Sequence, residues 1–122
     1  MRDIEKSRRP WGYFETFIKN QSCTVKLLYV QPSQYLSLQY HKNRDEFWKV
    51  RSGPVLVEIN GFSKTLMAGE TCEIPRGSTH RLSCPNGFNS YGVVLEIATG
   101  DFDENDEVRL EDIYGRTINE RT

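Results

Sequence analysis

The stretch LSLQYHKNRDEFWKVRSG at residues 36–53, read together with GETCEIPRGSTH at residues 69–80, decides the fold. These two segments hold both of the chain's histidines, His41 and His80, along with Gln39 and Glu46. Two imidazoles and a carboxylate are good ligands for a divalent ion, and the Gln39 amide is a weak oxygen ligand. Residues two apart on a strand share a face, so a strand through this stretch points Gln39 and His41 the same way. The turn at 42–45 can return Glu46 beside them, and His80 opens a distant strand directly after the Pro75-Arg76-Gly77 turn. Either histidine alone is better explained as a structural or solvated residue; the complete spacing is what argues for a cage.

Outward from these segments the chain reads as short strands separated by turn chemistry. Apolar and aromatic runs mark strands at 11–18 (WGYFETFI), 24–30 (TVKLLYV), 35–41, 47–51, 55–59, 62–66, 71–74, 81–84 and 91–98. Asn60-Gly61 is the strongest hairpin signal, because both positions tolerate the positive φ of a type I′ turn. The run at 91–98 is nearly continuously apolar, as expected of a central strand or one buried on both faces. Strands at intervals of roughly ten residues, with little helical periodicity before residue 103, predict an all-β sandwich or barrel. Residues 1–8 are charged and read as a frayed tail or one helical turn. From Asp103 onward, Val108, Leu110, Ile113 and Tyr114 read as a strand or short helix packed across the barrel.

At 122 residues the chain has room for one domain with a modest core. Its 16 basic and 17 acidic side chains leave a net charge of -1, which gives no reason to expect nucleic acid or an anionic membrane as partner. No apolar run is long enough for a membrane span, and no apolar region of a secretory signal follows the charged amino terminus. Cys23, Cys72 and Cys84 form no C-x-x-C pair and leave one over, which suits a reducing cytoplasm better than a disulfide framework. Their simplest role is as small buried strand residues. Small antiparallel barrels leave edge strands to protect, and the aromatic N-terminal segment could add to a partner's sheet, so a homodimer is expected.

The order Gln-x-His, four residues, Glu, six residues, Gly53, then Gly69, five residues, Pro-x-Gly-x-x-His resembles the paired signature motifs of the cupins. Gln39 stands in place of the usual first histidine, and Cys84 where the second motif normally ends in asparagine. More closely, LSLQYHKNRDEFW at 36–48, IPRGSTHRL at 74–82 and EDIYGR at 111–116 resemble the type II mannose-6-phosphate isomerase family, and RPWG at 9–12 fits the start of the same domain. The resemblance implies a single cupin domain, a double-stranded β-helix or jelly-roll barrel, over residues 9–116, between tails at 1–8 and 117–122. In that family the cupin is usually fused behind a mannose-1-phosphate guanylyltransferase. Nothing in this chain resembles a Gly-rich nucleotide loop.

The same resemblance implies a divalent metal held by Gln39, His41, Glu46 and His80, and an aldose–ketose isomerase that interconverts mannose 6-phosphate and fructose 6-phosphate. Zinc is the first choice, and manganese, cobalt, nickel or iron fit the same nitrogen and oxygen donors. Such a set leaves coordination positions open, as in catalytic sites, and an ion on the sugar's C1 and C2 oxygens would acidify the hydrogen beside the carbonyl. The phosphate needs a cation: Arg109 first, then Arg44 and Arg81, match arginines of the family pattern. Arg109 and Lys64, the latter on the hairpin, are also the catalytic candidates. The arginines could instead pair at the surface with Asp45, Glu111 or Asp112. Trp48, Tyr40 and Phe47 are expected in the core or cavity wall. The departures at Cys84, Phe47 and Glu107 leave the metal set intact, and spacing does not identify the proton-transferring base. Two other readings compete: a metal-binding cupin that binds a sugar phosphate as sensor or accessory subunit without turnover, and, less favoured, an oxygen-dependent metal enzyme.

Overall fold

The computed structural model describes residues 4–85, 90–100 and 106–111. In chain order the strands are β1 (Glu5–Arg9), β2 (Gly12–Thr16), β3 (Cys23–Val30), β4 (Leu38–His41), β5 (Arg44–Ser52), β6 (Val55–Ile59), β7 (Phe62–Leu66), β8 (Thr71–Ile74), β9 (His80–Ser83), β10 (Gly92–Gly100) and β11 (Glu107–Glu111). One sheet runs β3-β10-β5-β8, a second runs β11-β4-β9-β6-β7, and β1-β2 is a hairpin of its own. The paired strands are antiparallel throughout. The all-β reading therefore holds, and among the described residues no helix is long and apolar enough to cross a membrane.

Period-two alternation closes the two large sheets on one core. Trp48 and Val50 from β5, Val94 from β10, Val55 and Val57 from β6, Leu66 from β7 and Leu82 from β9 pack as one buried cluster. The inward positions change character along each strand. On β5 they pass from Val50 and Trp48 to Glu46 and Arg44, on β10 from Val94 to Glu96, and on β9 from Leu82 to His80, all of them buried. One end of the interior is thus hydrocarbon and the other ionisable.

Turn chemistry sets the register as expected at Asn60-Gly61, where φ is 49° and 85° and β6 pairs with β7 from Ile59↔Phe62. The N-terminus corrects the sequence reading. Residues 5–9 are a strand and not a tail or helical turn, because cations on β1 cover aromatic rings on β2: Lys6 Nζ lies 4.2 Å from the Tyr13 ring centroid and the Arg9 guanidinium 5.0 Å from that of Phe14. β5 begins at Arg44, ahead of the expected start at 47, and the stretch beyond 103 contributes a strand, β11, paired with β4. Tyr35 makes only a single bridge, to Ser83. Asn86, Gly87, Ile113, Tyr114, the EDIYGR motif past Glu111 and the C-terminal tail at 117–122 lie outside the described residues.

β3 ends its sheet, and its outward side chains Val25, Leu27 and Tyr29 are exposed. Cys23, Cys72 and Cys84 are all unbridged, exposed, half-buried and buried respectively.

Leu82, with no exposed surface, tests the shared core. Leu82→Ala should cost about 2–5 kcal/mol of unfolding free energy in urea titrations, the range for a large cavity-forming truncation. A loss below about 1 kcal/mol would place Leu82 outside a close-packed interior.

Candidate metal centre

β4, β5 and β9 bring three ligating groups together. One ligating atom from each of His41, Glu46 and His80 lies within 4.8 Å of the others, and all three residues are buried. His41 Nε2 is 3.2 Å from Glu46 Oε2, His80 Nε2 is 3.9 Å from Glu46 Oε1, and the two imidazole centroids are 5.0 Å apart. Gln39 is also buried and sits directly across the strand pair from His80, two residues before His41 on the same face.

Local structure holds these residues in place. The Asp106 carboxylate accepts from the backbone N–H groups of Lys42 (3.0 Å) and Asn43 (2.8 Å), pinning the β4–β5 turn. A side chain at Gly100, whose φ is +105°, would collide with the Asn43 carbonyl, so this turn needs glycine beside it. The Pro-Arg-Gly turn that delivers His80 is tied to β5, because Asp45 accepts from the Arg76 backbone N–H at 2.8 Å and its Nη2 at 3.1 Å. Gly77 N–H donates to the His41 carbonyl at 2.7 Å.

The donor set fits a metal. His80 Nδ1 lies 3.1 Å from the Ser78 carbonyl. A carbonyl only accepts, so Nδ1 carries the hydrogen and Nε2 presents its lone pair to the cluster. There it is buried with no hydrogen-bond partner among the described residues. Burial, reinforced by Arg44 and His80 against the opposing pull of Glu46, lowers the His41 pKa to about 4. Burial also lowers that of His80, against Glu46. Both rings are therefore neutral at pH 7, as ligation requires. Burial, the largest influence, would raise Glu46, but the pull of His80, His41 and Arg44 during its titration outweighs it and holds its pKa below the ordinary carboxylate range. With both imidazoles neutral at pH 7, Arg44 is the charge that pairs it. Trp48 Nε1 donates to Glu46 Oε1 at 3.0 Å, and its ring meets His80 edge-on at 5.8 Å.

The remaining candidates divide. Arg109 is buried on β11 directly opposite Gln39, and Arg44 is buried within the cluster. Arg81 is not brought there. As the neighbour of His80 on one strand it takes the other face, stacks on Tyr35 at 5.1 Å and pairs with Glu111 at 3.0 Å. Lys64 is exposed on β7 and lines a separate cavity of about 340 Å³ with Ile59, Phe62 and Cys72, to which none of the three ligands contributes. Two site residues escaped the sequence reading, Asp106 and Glu96. Glu96 is raised to about 8 by burial first, then by the charge of Glu46 and a hydrogen bond to it. Its signal was a lone carboxylate inside the apolar run VVLEIA.

Two antiparallel sheets closed on one core, with a cluster of two histidines and a carboxylate inside one end, define a cupin. Solved structures superpose on this fold. The capsular polysaccharide assembling protein CapF from Staphylococcus aureus does so with a TM-score of 0.66 and 21% identity, over 89% of this chain and 34% of that one. A sugar phosphate isomerase of the cupin superfamily from Silicibacter pomeroyi does so with 0.56 and 23%, over 65% and 51%. The chain belongs to the mannose-6-phosphate isomerase C-terminal family, which it matches over residues 2–112. Mannose-1-phosphate guanylyltransferase ManC of Salmonella typhimurium is 38% identical over 109 residues, 88% of this chain and 22% of that protein. Alginate biosynthesis protein AlgA of Pseudomonas aeruginosa is 36% identical over 110 residues, 89% and 22%. The chain spans only that 22% of the length of either relative.

These pKa shifts set the pH dependence of the metal-free fold. The two histidines have depressed folded values, so their contribution is full above the ordinary 6.5 and is lost as pH falls toward about 4 for His41. Glu96 has a raised folded value, so its contribution is full below the ordinary 4.5 and is lost as pH rises through about 8. Two histidines outweigh one carboxyl on the acid side. Chelator-treated protein should be most stable near pH 6.5 and weaken both ways in denaturant titrations, and Glu96→Gln should remove the alkaline decline. Stability unchanged between pH 6.5 and 5 would contradict the buried neutral imidazoles.

Proposed function

We propose that this chain is a metal-dependent aldose–ketose isomerase of a hexose 6-phosphate, with mannose 6-phosphate and fructose 6-phosphate as the interconverted pair. One observation carries the reading: in a member of the mannose-6-phosphate isomerase C-terminal family, three buried ligating residues converge and His80 bares an unpartnered Nε2 into their midst. His41, Glu46 and His80 would hold the ion, with Gln39 adjoining. Zinc is the first choice, and manganese, cobalt, nickel or iron suit the same donors. Bound there, the ion would supply Lewis acidity to the sugar's carbonyl and hydroxyl oxygens.

The chain's own residues do the rest. The Ser78 carbonyl fixes the His80 tautomer, and Trp48 steadies Glu46 while walling the site with hydrocarbon. Arg109, buried beside Gln39, is the group to engage the substrate's phosphate, where low local dielectric strengthens the pairing. The open edge of β3 and the exposed aromatics of the β1–β2 hairpin, Trp11, Tyr13 and Phe14, support a homodimer as the working assembly.

Metal-replete protein should form fructose 6-phosphate from mannose 6-phosphate in a coupled assay. His80→Ala should abolish both metal uptake, read by elemental analysis, and turnover. Arg109→Met should keep its metal and lose about tenfold or more in kcat/KM, the size of one charge-assisted contact. Metal and sugar phosphate bound without turnover would favour the sensor or accessory reading instead; full metal content in folded His80→Ala would refute the ligand assignment. Sedimentation showing only monomer at micromolar concentration would dispose of the dimer.

A further inference from the structure

A cation already sits among the three ligands. The guanidinium of Arg44, 3% exposed, donates from Nε to Glu46 Oε2 at 3.0 Å, and its Nη2 lies 3.1 Å from His41 Nε2. Those atoms belong to two of the three candidate ligands, and they are only 3.2 Å from each other. Arginine only donates, so a hydrogen bond from Nη2 makes His41 Nε2 an acceptor, and its lone pair and a carboxylate oxygen repel at that separation unless positive charge binds both. Arg44 supplies it, in the forked geometry that arginine offers and lysine does not. The third position, His80 Nε2, is out of this arrangement: it is buried without a hydrogen-bond partner among the described residues. The guanidinium therefore satisfies two of three convergent Lewis bases, whereas a divalent ion would satisfy all three.

Resting on the metal reading of this site, we propose that Arg44 is a built-in competitor for the metal, a tethered cation that occupies Glu46 Oε2 and His41 Nε2 in the metal-free protein and must leave both when an ion binds. Its occupancy keeps the Glu46 carboxylate paired and the site preformed before loading, since a buried carboxylate without a cation is strongly destabilising. The same occupancy weakens apparent metal affinity, because each hydrogen bond to Arg44 must be broken before the ligand is available. Release then turns an engaged fork into one able to meet an anionic ligand inside the barrel, so that arginine becomes available to a phosphate only after the ion has arrived.

The test compares zinc affinity of the chelator-stripped full chain and of Arg44→Met, by competition with a chromophoric chelator. Loss of one charge-assisted hydrogen bond from the cost of loading should tighten zinc binding by about tenfold or more in the variant. The metal-free variant should at the same time melt at a lower temperature than the unmutated chain, and zinc should raise its melting temperature by more. Zinc binding equal to or weaker than that of the unmutated chain, in a variant shown to be folded by circular dichroism, would overturn the proposal. Because Arg44→Met could fail to fold, displacement is also read on the unmutated chain from the Nε–H resonance of Arg44 in 15N spectra. That signal should be protected from exchange without metal, and should shift and lose protection at saturating zinc; an unmoved resonance would overturn the proposal whatever the variant does. Failure of the unmutated chain to take up zinc at all sinks the metal reading and this inference together. Normal uptake with an unmoved Arg44 sinks this inference alone.

Discussion

A single ionised carboxylate kept away from water governs this molecule. Glu46 lies inside a barrel whose neighbouring inward positions are Trp48 and Val50. An unpaired charge there would cost several kcal/mol, which the fold can tolerate only by surrounding the carboxylate with donors and positive charge. Arg44 and Trp48 of the same strand and the protonated Glu96 of the neighbouring β10 form that surrounding, and the jelly roll folds two neutral imidazoles over it. The site is therefore not an addition to a finished scaffold; its electrostatics and the packing at the polar end of the core are one problem with one solution.

The strands that surround this centre are positioned by contacts far apart in sequence. Asp106 braces the β4–β5 turn across 64 residues of chain, and Asp45 braces the turn before His80 across 31. Backbone N–H groups held by carboxylates in this way leave the ligands little freedom to drift, and pre-positioned ligands are what let a site take an ion without refolding around it.

Much of this was legible in the residues. β6, β7 and β8 fall where alternation and turn chemistry put them, and the Asn60-Gly61 hairpin does so because few other sequences accept two positive φ angles in succession. His41, Glu46 and His80 were readable because strand parity and two turns fix where such side chains can go. By that same parity Arg81, the residue after His80, faces the other way and takes the surface pairing with Glu111 that was its alternative. β1 was missed because its five residues are polar and charged, and only their cross-strand stacking on Tyr13 and Phe14 makes them a strand. Asp106 carries no local motif, and Glu96 only the oddity of a lone carboxylate in an apolar run; their roles arise from partners that the topology supplies, which no window along the chain contains.

Cys72 lies across β5 from Trp48, and its thiol is pushed up to about 12, chiefly by burial, with Lys64 opposing and the charges of Glu46 and Glu73 adding to the rise. Thiolate is the form that attacks electrophiles, is oxidised and captures soft ions. Almost none of it exists here at neutral pH. Cys72 is thus held as the thiol, the form least disposed to oxidation or to capture of soft ions, at the wall of the cavity it shares with Lys64 and Phe62.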